Sequence, residues 1–372
     1  MFSVVCLIAK STSDGRQGGF QVKHSLRRKL DAKKRRRQRR IEKQNSRMQT
    51  PMLRCPAAKL ELSDKAQAVN CGGIALVQQM VRQVGLAASI NRHCPIFKMH
   101  MPYTEADHVL NIAFNLMAGG TCLEHLELRR NDEVYLDLLG AQRIPDPTTA
   151  GDFCRRFSPR SVDRLMDAIN ESRVKVWQQQ PERFFDLAIV EGDGTMIETT
   201  GEKKEDIGLN HKKQWGYQTL ALTLANTREE LFLLNRPGNR PSHEGAAAYF
   251  DKSVQLCRRA GFRNVRLKGD TDFSQTKHLD RWNEEGVRFV LGYDANKTLT
   301  GIADSLKNSA WKPLDRRGRE SNAVRAKRPN YKEQIVETNG YENKKLSGES
   351  HAEFNYRPGN CQRDYRMIVV RK

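Results

Sequence analysis

Two aspartates draw attention by their type and place. Asp193 closes the strand-like run Asp186-Leu-Ala-Ile-Val-Glu-Gly-Asp193, and Asp270 closes Val265-Arg-Leu-Lys-Gly-Asp270. Carboxylates at the carboxyl ends of two neighbouring strands converge on one edge of a sheet. Two or three hard oxygen ligands with open positions suit Mg²⁺ or Mn²⁺. Two such ions, about 3.5–4 Å apart, activate a water or a 3′-hydroxyl and stabilise the leaving oxygen of a phosphodiester displacement. Each aspartate also has a plainer reading. Asp193-Gly194-Thr195 reads equally as a turn, and Asp270 as the cap of the helix after it. Glu191 shares the strand parity of Asp193, and Asp272 lies two residues after Asp270. Both are rival ligands, ranked second because neither closes a strand in register with its partner.

The charge balance points to the same kind of substrate. The 372 residues carry 64 Lys+Arg against 44 Asp+Glu, a formal net charge of +20. That exceeds what solubility needs and implies a polyanionic partner, nucleic acid or an anionic membrane surface. Residues 23–47 alone hold 13 Lys or Arg against two acids, Asp31 and Glu42. A segment this dense repels itself and reads as a flexible arm or a solvated helix. Lys33, Lys34, Arg35, Arg36, Arg37, Arg39 and Arg40 are its core and are expected to neutralise DNA phosphates. A nuclear-localisation run has the same composition. A second basic cluster spans Arg316 to Arg319 and Arg325 to Arg328.

Other classes are excluded or disfavoured. No apolar run approaches the ~18–20 residues of a membrane-spanning helix. The start, Met1 to Ala9, has no basic residue ahead of a short apolar run, so a signal peptide is disfavoured. The eight cysteines are scattered, with no C-x-x-C pair. That pattern gives no zinc signature and reads as free thiols in a reducing cytosol.

The elements that must position the aspartates follow from the hydrophobic periods. Residues from about 51 to 180 read as helical. Thr104 and Asp107 form a capping-box-like start. Val109, Leu110, Ala113, Phe114 and Met117 then recur at helical spacing until Gly119-Gly120. Pro145-Asp-Pro-Thr-Thr149 is a turn leading to a second start, with Thr149 and Asp152 as its cap pair. Ser158-Pro159 is a third, and behind it Val162, Leu165, Met166, Ile169, Val176 and Trp177 line one core-packing face. From about 184 the pattern changes to strands. They fall at 186–193, 216–225 and 230–235, then at 265–270 and 287–291. Helices are expected from Ser242 to about Ala260, around 275–285 and around 299–307. Three hairpin strands followed by crossover helices and strands imply a mixed α/β sheet covered on both faces. That is the element order of the ribonuclease H-like fold, in which the first and fourth strands lie side by side. The expected organisation is a basic arm (1–50), a helical DNA-binding domain (51–180), a ribonuclease H-like core (181–314) and an incomplete β-rich insertion (315–372). The last region carries strand-like pieces at 333–337 and 363–370.

Several motifs in order carry a family resemblance. They are Asp193-Gly-Thr-Met-Ile-Glu198, Trp215-Gly-Tyr-Gln218, Asn235-Arg-Pro-Gly-Asn239, Gly245-Ala-Ala-Ala248 and Gly269-Asp-Thr-Asp-Phe273. Gly119-Gly120, Leu139-Gly-Ala141, Pro145-Asp-Pro-Thr-Thr149 and Phe153-Cys-Arg-Arg-Phe157 precede them. Together, over roughly residues 95–372, the chain resembles bacterial insertion-sequence transposases of the DDE type. The resemblance places Asp193 and Asp270 on the first two catalytic aspartates, which are metal ligands for Mg²⁺ or Mn²⁺. It implies double-stranded DNA as partner, both terminal repeats and target, and a homodimer on that DNA. It also implies a cytoplasmic, nucleoid-associated protein. Arg236, Gly238 and Asn239 fall on a loop near the family's active-site edge, with no assigned role.

Two departures from the family pattern matter. Tyr217-Gln-Thr-Leu220 stands where the family often has a histidine after the tyrosine. The third acid, a glutamate on a helix after a β-rich insertion, has no good counterpart. Tyr341-Glu342-Asn343 lacks the family's arginine and precedes a strand that looks like part of the insertion. The expectation is therefore a C-terminally truncated copy whose glutamate lies beyond Lys372, one that binds DNA but cuts it poorly. The rival readings are a catalytically dead remnant or inhibitor of transposition, and another ribonuclease H-like nuclease.

Overall fold

The computed structural model describes residues 70–98, 102–201, 204–314 and 349–371, with Arg28, Lys29, Asp31, Ala32, Lys33, Arg35, Arg36 and Arg39 of the basic segment. The chain divides into two compact units, Met1–Ser172 and Arg173–Lys372.

The first unit is helical where described. It contains α1 (Ile74–Val84), α2 (Leu86–His93), α3 (Glu105–Met117), α4 (Leu126–Arg130), α5 (Glu133–Leu139) and α6 (Pro147–Cys154), and α7 (Pro159–Trp177) begins in it. Thr104 caps α3 in a complete capping box with Asp107. Ser158 Oγ accepts from Ser161 N at the start of α7. The cap of α6 differs from the sequence expectation. Asp146, not Thr149, caps it by accepting from Thr149 N, and the helix begins at Pro147. Proline's fixed φ suits the first helical position and needs no N–H there, so the Asp-Pro pair starts the helix earlier than a Thr–Asp pair can. Ile74, Val81, Ile90, Leu110, Phe114, Tyr135, Leu139 and Ile144 fill the core. Met117, expected on the apolar stripe, is instead 62% exposed.

The second unit is built on one mixed sheet. Its strands are β1 (Ala188–Glu198), β2 (Gly208–Leu209), β3 (Trp215–Leu224), β4 (Glu229–Leu234), β5 (Val265–Gly269) and β6 (Arg288–Leu291). β1, β3 and β4 pair antiparallel in hairpin succession. β5 pairs parallel with β1, and β6 pairs parallel with β5. Across the sheet the order is β4-β3-β1-β5-β6, with the short β2 beside one end of β3. This is the ribonuclease H-like arrangement that the element order implied. Helices α8 (Ala246–Ala260), α9 (Leu279–Glu284) and α10 (Lys297–Ser305) follow β4, β5 and β6. Val190, Leu220, Leu222, Leu224, Leu267, Phe250, Val254, Cys257 and Trp282 are its buried core. Gly192 is required by close approach, because a Cβ there would lie 2.6 Å from the Phe250 ring on α8.

Ser242 does not cap α8. The helix begins after Gly245, which has φ of 74° and no side-chain cap. A smaller sheet of β7 (Lys312–Pro313), β8 (Ser350–Tyr356) and β9 (Tyr365–Arg371) completes the described structure. β9 matches the expected piece near 363–370. β8 was not expected, although Ala352, Phe354 and Tyr356 alternate with His351, Glu353 and Asn355 in it. The strand expected at 333–337 lies outside the described residues. No helix among the described residues is long and apolar enough to cross a membrane.

Candidate active site

The parallel pairing of β1 and β5 brings the two aspartates together. Ala188 faces Val265, and the register continues to Glu191 facing Lys268. The pairing ends there, and Asp193 and Asp270 each follow two residues later, Asp270 just past the end of β5 at Gly269. Neighbouring strands lie ~4.8 Å apart, so the chain segments carrying the two aspartates leave the β1–β5 ladder side by side. Both are exposed. Gly192, between Glu191 and Asp193, turns its face toward Phe250. Asp193 therefore points away from α8.

Asp193 is not at the end of its strand. β1 continues to Glu198, because β3 pairs with it throughout, from Asp193 against Ala221 to Glu198 against Gly216. What stops near Asp193 is the pairing with β5, where the chain leaves the sheet. The sequence shows where a strand pattern fades, but not which neighbour keeps a strand extended. Asp270 fills the capping role of its plainer reading. Its backbone is extended, and its side chain accepts from Asp272 N (3.0 Å) to cap the short 3-10 turn Thr271–Phe273. Asp193 Oδ1 accepts from Gly194 N at 2.8 Å. Each carboxylate keeps its other oxygen clear of these local bonds.

The rivals are placed differently. Glu191 is ion-paired to Lys268, Nζ to Oε1 at 2.6 Å. Asp272 lies on the turn and lines a polar cavity of about 380 Å³ with His243, Lys277, Asp294 and Asn360. Asp294 lies three residues past the end of β6, whereas the β5–β6 register aligns Asp270 with Gly292.

The donor set fits a hard divalent cation in kind, with two exposed carboxylates on one edge. Among the described residues, no group of three or more His, Cys, Asp or Glu side chains is placed to hold a metal ion. Glu342 lies outside the described residues.

The loop after β4 acquires a role that the sequence left blank. Arg236 is 7% exposed. Its guanidinium donates to the carbonyls of Gln218 (3.1 Å), Pro241 (3.2 Å), Ser242 (3.1 Å) and Glu244 (2.5 Å). This ties the loop to β3 and sets Ser242 against Gly194, where a Cβ would lie 2.7 Å from Ser242 Oγ. Arg236 thus fixes the loop that packs Ser242 against Gly194, the residue after Asp193. A buried arginine among carbonyls leaves no periodic trace in the sequence. Of the basic core, Lys33, Arg35, Arg36 and Arg39 are helical and exposed, whereas Lys34, Arg37 and Arg40 lie outside the described residues.

A family model described as "Transposase DDE domain group 1" matches residues 60–345. Comparison with curated proteins yields no match. Among solved structures, the chain is similar to one in the cryo-EM structure of the piggyBac transposase synaptic complex with hairpin DNA. The two are 10% identical, the alignment covers 80% of this chain and the TM-score is 0.36. The chain spans 60% of that structure's chain.

Proposed function

The chain belongs to the transposase DDE domain group 1 family, and from that premise we propose that it is the DNA transposase of an insertion sequence, cutting and joining DNA at terminal inverted repeats. What supports this reading is the parallel pairing of β1 with β5, which runs to Glu191 and Lys268, two residues before Asp193 and Asp270 in each case. These two carboxylates are the proposed ligands for Mg²⁺ or Mn²⁺. Bound there, the metal would polarise the attacking oxygen and steady the leaving one. The chain's own groups do the rest. Asp193 and Asp270 hold their geometry through the bonds to Gly194 and Asp272. Arg236 keeps the neighbouring loop in place. The exposed cations Lys33, Arg35, Arg36 and Arg39, with Lys34, Arg37 and Arg40, neutralise duplex phosphates. Two protomers bridging two element ends complete the proposed assembly.

The test is cleavage of a labelled terminal-repeat duplex with Mg²⁺ or Mn²⁺. The expected outcome is duplex binding with weak strand cleavage, and Asp193→Asn or Asp270→Asn abolishes whatever cleavage there is while duplex binding remains. A chain that binds the repeats and never cuts them overturns the catalytic reading in favour of a DNA-binding protein without activity. In a cleaving chain, Glu342→Gln decides whether that residue is the third carboxylate.

A further inference from the structure

We propose that the helical unit carries a second nucleic-acid site, a pocket that receives one unpaired base of a DNA strand on aromatic rings and sets its phosphate against a basic rim. The pocket is a cavity of about 430 Å³, within the size range of small-molecule sites. Three separate segments build it, around Phe97, at Tyr103–His108 and at Thr149–Arg156.

Its floor is the buried pair His108 and Phe153, stacked at 4.6 Å with 13° between the ring planes. Phe97 and Tyr103 stand beside them, their ring centroids 5.3 and 5.7 Å from that of His108. The rim is cationic. Lys98 and Arg156 are both exposed, and the Arg156 guanidinium lies 5.3 Å over the Phe97 ring. The Arg143 guanidinium lies 6.0 Å from the Tyr103 ring centroid. The one acid on the rim, Asp152, is paired with Arg155.

His108 is the telling residue. It is 2% exposed, and its Nδ1 is buried with no hydrogen-bond partner. A buried polar nitrogen without a partner costs stability, and a ligand donor that reaches it offsets that cost. Burial, then the nearby Arg156 charge, lower its pKa to about 4. The ring is therefore neutral at physiological pH.

Flat apolar faces ringed by cations match a flat heteroaromatic ligand carrying negative charge, which is a nucleotide. Paired bases are stacked inside the duplex and cannot enter, so the occupant is an unpaired one, as at an opened or nicked end. This identification of the ligand rests on the DNA-processing reading above. The pocket lies wholly in the helical unit and uses neither Asp193 nor Asp270.

The full chain is titrated with two probes. One is a short single strand carrying 2-aminopurine, and the other is a fully paired duplex. The single strand is expected to bind with quenching of the 2-aminopurine emission. Tyr103→Ala, and separately Arg156→Ala, should weaken that binding roughly 5- to 100-fold, the range of one lost base–aromatic stack. Tyr103→Phe should restore it, and duplex affinity should change less than twofold in every variant. Circular dichroism melts of each variant check that the unit is folded. Duplex binding with no quenching, or quenching that both alanine variants leave intact, overturns the pocket and leaves the transposase reading standing. Single-strand binding through the pocket with no duplex binding supports the pocket and overturns that reading.

Discussion

At the residue scale, Asp193 and Asp270 each use one carboxylate oxygen on a nearby backbone N–H. Asparagine caps as well as aspartate does, and both sites are exposed. Asp193→Asn and Asp270→Asn should therefore leave the melting temperature within about 2 °C of the unaltered chain, as expected for changes under ~0.5 kcal/mol. Their effect should fall on cleavage alone, by orders of magnitude, as metal placement tolerates little error. His108 gives a pH signature. Its folded pKa, about 4, lies below the unfolded value of 6.5 because of burial and Arg156, with Asp146 opposing. The unfolded state binds the proton first as pH falls, so this contribution is complete above pH 6.5 and is lost between 6.5 and 4. The loss is about 3 kcal/mol in all. Chemical denaturation from pH 7 to 4 should show that decline, and His108→Gln should flatten it. An equally steep decline in the variant would remove His108 as the cause.

At the element scale, one side chain contributes most visibly to the loop that follows β4 and one to the β8–β9 hairpin. Arg236 supplies hydrogen bonds to four carbonyls. Arg236→Met leaves those carbonyls without their donor in a buried loop, at a cost of about 2–4 kcal/mol. Denaturant titration reads the loss, and cleavage should drop with it because Ser242 abuts Gly194. A stability unchanged within 0.5 kcal/mol, on the order of ordinary surface substitutions, would contradict the clamp. The hairpin rests on Asp280, which accepts from Gln362 N at 2.6 Å and from the Tyr365 hydroxyl at 2.5 Å. These two bonds, the Tyr365 one first, hold the Asp280 carboxyl below its usual pKa. Tyr365→Phe and Asp280→Asn should speed amide exchange across residues 350–371 while the β1, β3 and β5 amides stay protected. Uniform protection in both variants would show that the hairpin is held by other means.

At the scale of the whole molecule, a charge of +20 makes DNA binding a salt-dependent event. Each phosphate contact removed should change the slope of log K against log salt by about 0.9 on duplex DNA. Replacing Arg35, Arg36, Arg37, Arg39 and Arg40 by alanine should weaken binding to all sequences alike and flatten that slope. A slope that does not move would mean this segment does not contact phosphate. The aromatic pocket makes the contrasting prediction, because base stacking changes affinity for unpaired strands with little change in salt slope.

The ribonuclease H-like order was legible in the sequence because strand and helix periods differ. The alternation in β3, the Gly and Asp punctuation after β5 and the capping box at Thr104 are all local signals. Asp193 and Asp270 were legible for the same reason, each standing where a strand pattern breaks. Where a pattern breaks, however, is set by which neighbours pair. Only the hairpin with β3 carries β1 past Asp193 to Glu198, and only the parallel pairing shows β1 and β5 to be neighbours. Asp146 took the cap from Thr149 because Pro147 fixed where the helix could start. Arg236, Asp280 and the pocket around His108 left no mark in the sequence. Their partners lie up to 85 residues away and belong to other elements. Local chemistry thus determined what the elements are, while long-range packing decided which side chains meet, since contacts between distant segments exist only once the chain has folded.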